Sequence, residues 1–511
     1  MWALRAVALA AVLLTGCKRA QDPAPAPEPA AKAEAKADPS GAVLLFSADT
    51  RGYLGPCGCS ENMRGGIDRA AFQVMEARKG SRPVVYIDGG DSLFGQHTLT
   101  PAQVPQEERK AQALADAMKR MGLAVRATGE LDDVRGVAFR QSLGLPELPP
   151  GGVKLLQAGP RLVGVVAAQD AAQLAQASAQ ARKDGADFVV ALFHGTVQQA
   201  QAAAEQPGLE ANLLLATHTA TEFSGEEHKR VNAAVPVVGL QSKGRELLRV
   251  DLGYGPQKGP FTPVKSQDEA EREVAALDER MALLNKDVNL PDIDPQLKQL
   301  KQGKLEELVA RKQRLLTEPV AAPTGTNSFS MRFLPLESSL QGEPGVKAVI
   351  AAYDSAVGKM NLAWAREHGQ DCPAPKKGEA AFVGNRPCQE CHEEAFPLWE
   401  KSKHSHAWET LEQQGKQFHL NCVGCHVTGY EQPGGVCRLD KVAGREDVGC
   451  ESCHGPGSLH SEEPTPKNIV RNPGRELCVT CHNPENSPHF DYATYLPRIL
   501  GPGHGQSMGQ K

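Results

Sequence analysis

The sequence predicts a multidomain protein: a layered α/β sandwich, then a helical hairpin connector, then a C-terminal domain of mostly short helices and irregular chain. Three observations predict it. From residue 41 short apolar runs alternate with helix-length stretches; residues 266–318 are charged, with apolar positions at helical spacing; and cysteine and histidine crowd the last quarter of the chain. A length of 511 residues fits two or three domains better than one core, and a net charge of −5 argues against a nucleic-acid partner. The expected divisions are 1–16, 17–40, 41–265, 266–371 and 372–511.

The first division reads "MWALRAVALAAVLLTGC". Arg5 precedes an apolar run that is too short to span a bilayer and has the form of a secretory signal. It closes on Leu14, Thr15, Gly16 and Cys17, which resembles the bacterial lipobox. That resemblance implies cleavage before Cys17 and acylation of its thiol. Each buried methylene of the acyl chains would add about 0.8 kcal/mol to membrane attachment. The expected location is therefore the bacterial cell envelope, lipid-anchored and facing the periplasm. Lys18 rather than Asp follows the cysteine, which favours the outer over the inner membrane. Residues 18–40 are rich in Pro and Ala, as expected of an extended tether.

In the third division, strands are expected in "AVLLFSAD", "PVVYIDGGDS", "LVGVVAAQ", "DFVVALFHG", "LEANLLLATHT" and "PVVGLQ", with helices over 67–78, 106–121 and 171–183 between them. Polar clusters sit at the strand ends, where α/β sites usually lie. These clusters, "SADTRG", "GGIDRAA", "DGGDSLFG", "FHG" and "ATHTA", come in the order found in periplasmic 5′-nucleotidases, a branch of the calcineurin-like metallophosphoesterases. The resemblance covers roughly 41–255. It implies a metallophosphoesterase-like sandwich in which Asp49, Asp91, His194 and His218 match metal ligands. The sequence departs from the family at Arg51, at "GELDD" and at Ala220, where ligand histidines or an Asn-His pair are expected. Two-metal hydrolysis needs both ions. A degenerate, noncatalytic domain is therefore expected, with a single residual divalent metal or plain loop hydrogen bonds at the four residues.

Residues 266–318 read as a helical hairpin broken by "LPDIDP", followed by a strand in "SMRFLPLESSL" and a helix in "EPGVKAVIAAYDSAVGKMNLAW".

The last division repeats one motif four times: Cys388, Cys391, His392; Cys422, Cys425, His426; Cys450, Cys453, His454; Cys478, Cys481, His482. CxxCH is the attachment pattern of c-type haem, in which two thioethers hold the macrocycle and the following imidazole ligates the iron. A structural zinc site would not need a histidine after every second cysteine. Four covalent haems are expected. Each iron needs a sixth ligand or an open face; six histidines of this part are unassigned and Met508 is the only methionine after Met360, so bis-histidine ligation is expected for most. Outside the motifs and Cys17 stand Cys57, Cys59, Cys372 and Cys437. Cys57 and Cys59 can act as a redox or soft-metal thiol pair, or pair elsewhere, since four cysteines allow three pairings.

The surroundings "PCQECHEEAFPLWEKSKHSHAWETL", "NCVGCHVTGY" and "VGCESCHGPGSLH" are similar to the tetrahaem cytochrome c family whose best-known member accepts electrons from hydroxylamine oxidoreductase. The likeness covers about 372–511. It implies His404 as distal ligand to the haem at His454 and His460 as distal ligand to the haem at His392. His504 is preferred over His489 for the haem at His482, and His406 or His419 could close the haem at His426, which the family often leaves open. The function expected is a membrane-anchored periplasmic electron carrier exchanging electrons with redox partner proteins. The alternatives are an oxidoreductase acting on a small nitrogen or sulfur species at an open haem and, third, a phosphoesterase.

Overall fold

The computed structural model describes residues 38–56, 63–218, 230–231, 235–265, 267–289, 295–317, 325–483, 486–487 and 490–504. The expectations for the signal segment, Cys17, the tether as far as residue 37, Cys57 and Cys59, Ala220, His489 and Met508 lie outside these residues.

The first sheet begins with β1 (Gly41–Ser47), β2 (Val84–Asp88), β3 (Leu123–Ala127) and β4 (Glu147–Leu148). The second takes β5 (Val153–Ala158), β6 (Arg161–Ala168), β7 (Phe188–Phe193), β8 (Leu213–Ala216), β9 (Arg230–Val231) and β10 (Val237–Gly239). The chain then returns to the first sheet with β11 (Glu246–Gly253), β12 (Phe261–Pro263) and β13 (Asn327–Pro335). The strand orders are β12-β13-β11-β1-β2-β3-β4 and β5-β6-β7-β8-β10-β9. β1 runs parallel to β2, and β7 parallel to β8, so the loops after these strands gather at their C-terminal ends.

Strand alternation sorts the side chains into layers. Leu44, Phe46 and Ile87 of the first sheet meet Val163, Val165, Val190 and Leu215 of the second in the central core. Val43, Leu45 and Tyr86 point the other way, under helices α1 (Ile67–Arg78) and α2 (Gln103–Arg120). The short helix α3 (Val137–Ser142) follows β3. On the outer face of the second sheet, Val166, Val189 and Leu214 pack beneath α4 (Ala171–Lys183) and α5 (Val197–Ala204). Asp170 caps α4 by accepting from Gln173 N–H at 2.8 Å, and Thr196 caps α5, which is why both helices begin where they do.

The sandwich does not end at residue 265. Helices α6 (Gln267–Val288) and α7 (Pro295–Thr317) form the expected hairpin around Leu277, Leu308 and Leu315. Beyond it, β13 pairs antiparallel with all eight residues of β11 and sends Phe329, Met331 and Phe333 into the central core. Helix α8 (Pro344–His368) lays Val346, Tyr353 and Val357 against α1 and α2. β13 and the first half of α8, expected in the 266–371 connector, are parts of the α/β sandwich, because their apolar residues are buried there.

The distal part of α8 leads into the C-terminal domain. Ala365 shares a small core with Val423, Val427, Val436, Leu439 and Val442. Cys372 is disulfide-bonded to Cys437, one of the pairings left open by the sequence. The rest is built of short helices: α9 (Asn385–Cys391), α10 (Phe396–Glu400), α11 (Ala407–Gln413), α12 (Leu420–His426), α13 (Cys450–His454), α14 (Ser458–Glu462), α15 (Arg475–Cys481) and α16 (Tyr492–Tyr495).

Candidate functional site

Two clusters of functional residues emerge. The first lies at the C-terminal ends of β1, β2, β7 and β8. Asp49, Arg51 and Asp91 all have φ near +50°, at 52°, 51° and 51°, a left-handed backbone that non-glycine residues adopt at a cost. The fully buried Asp91 accepts from Leu131 N–H at 2.9 Å and bonds His218 Nδ1 at 2.8 Å; His194 Nδ1 is 3.9 Å away. Burial pushes the Asp91 carboxyl up, but the His218 bond and the His194 charge outweigh it and leave it below the usual carboxylate range. The same hydrogen bond raises His218. One ligand atom from each of Asp91, His194 and His218 falls within a 4.8 Å span, a donor set fit for one divalent ion.

Asp49, matched in sequence to the same ligand set, falls outside that group. Its carboxylate holds Arg51 Nε at 2.7 Å, so a guanidinium stands where the resemblance expects a ligand. The "GELDD" segment has become a brace. Asp132 accepts N–H bonds from Asp91, Ser92, Leu93 and Gly129 at 2.8–3.1 Å and pairs with the buried Arg126 at 2.5 Å. Gly129 is required there, since a Cβ would sit 2.0 Å from Asp91 Oδ1.

The second cluster is the set of CxxCH motifs. Each pair of cysteines lies three apart on one short helix (α9, α12, α13 or α15), so both sulfurs leave from one side. The histidine follows at the helix end. Three histidine pairs then face one another: His392 and His460 with ring centres 6.3 Å apart, His404 and His482 at 6.1 Å, and His454 and His504 at 5.9 Å. Two imidazoles on opposite sides of one metal ion, each bonded at about 2 Å, have ring centres about 6 Å apart. The residues therefore fit iron between each pair.

The ring nitrogens are sorted by backbone contacts. Nδ1 of His426 bonds Ala407 O; that of His454 bonds Val470 O at 2.7 Å; that of His460 bonds Thr465 O at 3.1 Å; that of His504 bonds Ile499 O. A proton on Nδ1 fixed by a carbonyl leaves Nε2 as the lone-pair nitrogen for a metal. Burial lowers His404, His454 and His482, which favours the neutral, ligating form. None of these acceptors is recognisable in sequence, because a carbonyl leaves no side-chain signature.

The motifs also touch each other through sulfurs that stand in for thioether sulfurs. Cys388 lies within hydrogen-bonding reach of Cys450, and Cys425 within reach of Cys481. Cys453 is close enough to Cys478 and Cys481 for their charge to push its thiol up, after burial. Glu451, between the two cysteines of α13, is 3% exposed and accepts N–H bonds from Val383 at 2.9 Å, Gly384 at 2.7 Å and Gly457 at 2.8 Å. It thus ties α13 to the entry of α9 and to the turn before His460.

Family comparisons match the same CxxCH region of the chain. A model described as cytochrome c554 and c-prime matches residues 387–455, and one for a doubled CXXCH motif matches 442–487. Cytochrome c-554 of Nitrosomonas europaea is 31% identical over 159 residues, covering 24% of this chain and 68% of that protein. The chain belongs to the cytochrome c-554 family. Its C-terminal domain binds haem c and is a multihaem electron-transfer domain. Among solved structures, the 5′-nucleotidase precursor of Thermus thermophilus is similar at 12% identity and TM-score 0.40, covering 68% of this chain and 63% of that one. The NAD nucleotidase of Haemophilus influenzae is similar at 11% identity and TM-score 0.39, covering 71% and 69%. The chain thus spans less than two thirds of the Thermus protein's length.

Within this cytochrome c-554 relative, His460 faces His392 as the resemblance implies, but two distal pairings differ from expectation. His404 faces His482, not His454, and His504 faces His454, not His482. The cause is the path of the C-terminal segment. Gly501 packs against Leu398 and Gly503 against Glu394, which carries His504 back beside α10. His482 meanwhile stacks on Phe490 at 4.7 Å. Among the described residues no histidine ring faces His426. His406 is exposed beside Glu409 at 3.3 Å, and His419 is buried against Tyr353 and Asp354.

Proposed function

We propose that the protein is a tetrahaem electron-transfer lipoprotein. Its four haems would be held by the motifs ending in His392, His426, His454 and His482, with His460, His404 and His504 as distal ligands. The observation that carries this reading is the set of three facing histidine pairs with ring centres 5.9–6.3 Å apart. Haem c supplies the one-electron ferric/ferrous couple. The chain's own residues do the rest: backbone carbonyls fix the imidazoles, sulfur contacts join the attachment sites of 392 with 454 and of 482 with 426, and the sulfurs of 454 and 482 lie within range of each other's charge, which supports the order 392, 454, 482, 426. Electrons would pass in that order or its reverse, between redox partner proteins at the two ends.

The disulfide Cys372–Cys437 supports an oxidising compartment, in keeping with a periplasmic face and an acylated Cys17. The α/β domain is read as noncatalytic, with room for one divalent ion at Asp91, His194 and His218 and with Asp49 engaged by Arg51. A second reading, an oxidoreductase acting on a small nitrogen or sulfur species, is favoured by the lack of a facing ring at His426 among the described residues. The carrier reading is tested by a pyridine haemochrome count with intact mass on full-length protein matured with haem. Four haems, each lost separately when one motif's cysteines are changed to serine, are expected. Fewer than four refute the tetrahaem reading.

A further inference from the structure

Among the described residues, the α/β domain hydrogen-bonds to the start of one attachment helix, α12. Near the start of α2, Gln106 and Glu107 are 0% and 3% exposed, unusual burial for two polar neighbours, and Asn361 of α8 is 4% exposed. Their partners explain it. Gln106 Oε1 accepts from Leu420 N–H at 3.0 Å and from Asn361 Nδ2 at 2.7 Å, and the same Asn361 amide donates to Phe418 O at 2.7 Å. Glu107 Oε1 accepts from Asn421 Nδ2 at 2.9 Å and from Gln106 Nε2 at 3.3 Å, while its other oxygen pairs with Lys110 at 2.6 Å. Leu420 and Asn421 are the first two residues of α12, the helix that presents Cys422, Cys425 and His426.

We propose that the phosphoesterase-like domain serves as part of the His426 haem site: Gln106 and Asn361 position the attachment helix, and the Glu107 carboxylate biases that haem toward its ferric state. The inference rests on the reading of a haem at His426. A buried carboxylate acts at low local dielectric, so its charge favours the more positive, oxidised iron far more than a surface charge would. Glu107 holds Asn421 on the attachment helix and acts on the iron through its charge. This gives the domain a purpose that needs no hydrolytic chemistry: it builds and tunes one end of the proposed wire.

The test is a spectroelectrochemical titration of full-length, haem-loaded protein. Glu107→Gln is expected to raise one midpoint by about a tenfold change in the ferric-to-ferrous ratio, 59 mV for a one-electron couple. Glu107→Asp, which keeps the charge, should restore it. Glu108→Gln, the same charge change at a residue paired with Arg135 on the surface, should move nothing. The shifted wave should be the one missing from a Cys422→Ser, Cys425→Ser variant. If Glu107→Gln does not accumulate, Lys110→Gln replaces it and should lower the same midpoint. Unchanged midpoints, or a shift in a different haem, would overturn the proposal. An unchanged haem count in the double cysteine variant would instead overturn the haem at His426 itself.

Discussion

Replacing Glu451 by alanine should loosen the haem site between His392 and His460 and its tie to α13. Its carboxylate accepts three backbone N–H bonds, from Val383, Gly384 and Gly457, in a place where it is 3% exposed. A hydrogen bond to a charged group contributes about 1.5–3 kcal/mol, and each buried donor left without a partner costs about 1–3 kcal/mol. The three bonds share one acceptor group and are not additive, so a total loss of about 3–5 kcal/mol is expected. The damage has a location as well as a size. Val383 and Gly384 set the entry to α9 with His392, and Gly457 precedes His460, so the ring pair on that iron should separate first. Chemical denaturation measures the loss. Electron paramagnetic resonance of the folded variant should show one low-spin ferric signal converting toward high spin. A Glu451→Ala protein within about 0.5 kcal/mol of the parent, with an unaltered spectrum, would refute this account of how the sites are coupled.

Three further outcomes are expected. His504→Ala should make the haem at His454, and not the one at His482, high-spin and able to bind added imidazole, as read by magnetic circular dichroism. His419 is pushed down to about 4 by burial, so it stays neutral in the fold. Because its folded value is depressed, the stability it contributes is full above its ordinary value of about 6.5 and is lost as pH falls toward 4, by up to about 3 kcal/mol. Urea midpoints from pH 7 to pH 4.5 should fall less steeply in His419→Gln. Changing Cys372 to serine opens a loop with a sequence separation of 65. The chain-entropy model gives about 4 kcal/mol as the resulting loss, to be measured by thermal melting under oxidising conditions.

What can be read from the sequence depends on how local each signal is. The CxxCH motifs carry their chemistry within five consecutive residues, and α1 and α4 are readable to the residue because helical period and flanking turns agree. β3 is not: "LAVRA" is short and contains Arg126, whose burial makes sense only once Asp132 and Asp88 are beside it. β13 is recognisable as a strand, but its place in the first sheet depends on β11, far away in sequence. Distal histidines pose the same problem in sharper form. His404 and His504 stand out as residue types, yet their pairing is set by how the 394–404 and 499–504 segments fold back, which no spacing encodes. Gln106 and Glu107 give no signal at all, since a polar pair on an amphipathic helix reads as a solvated face.

On the proposed reading three irons sit between two histidines, and the iron at His426 has no facing ring among the described residues. Low-temperature electron paramagnetic resonance of the fully oxidised protein, with haem counted on the same sample, addresses it directly. The account predicts four haems, three low-spin and one high-spin, with the high-spin signal alone responding to nitric oxide. Four low-spin haems, or a high-spin signal that survives loss of the Cys422 and Cys425 attachment, would contradict it.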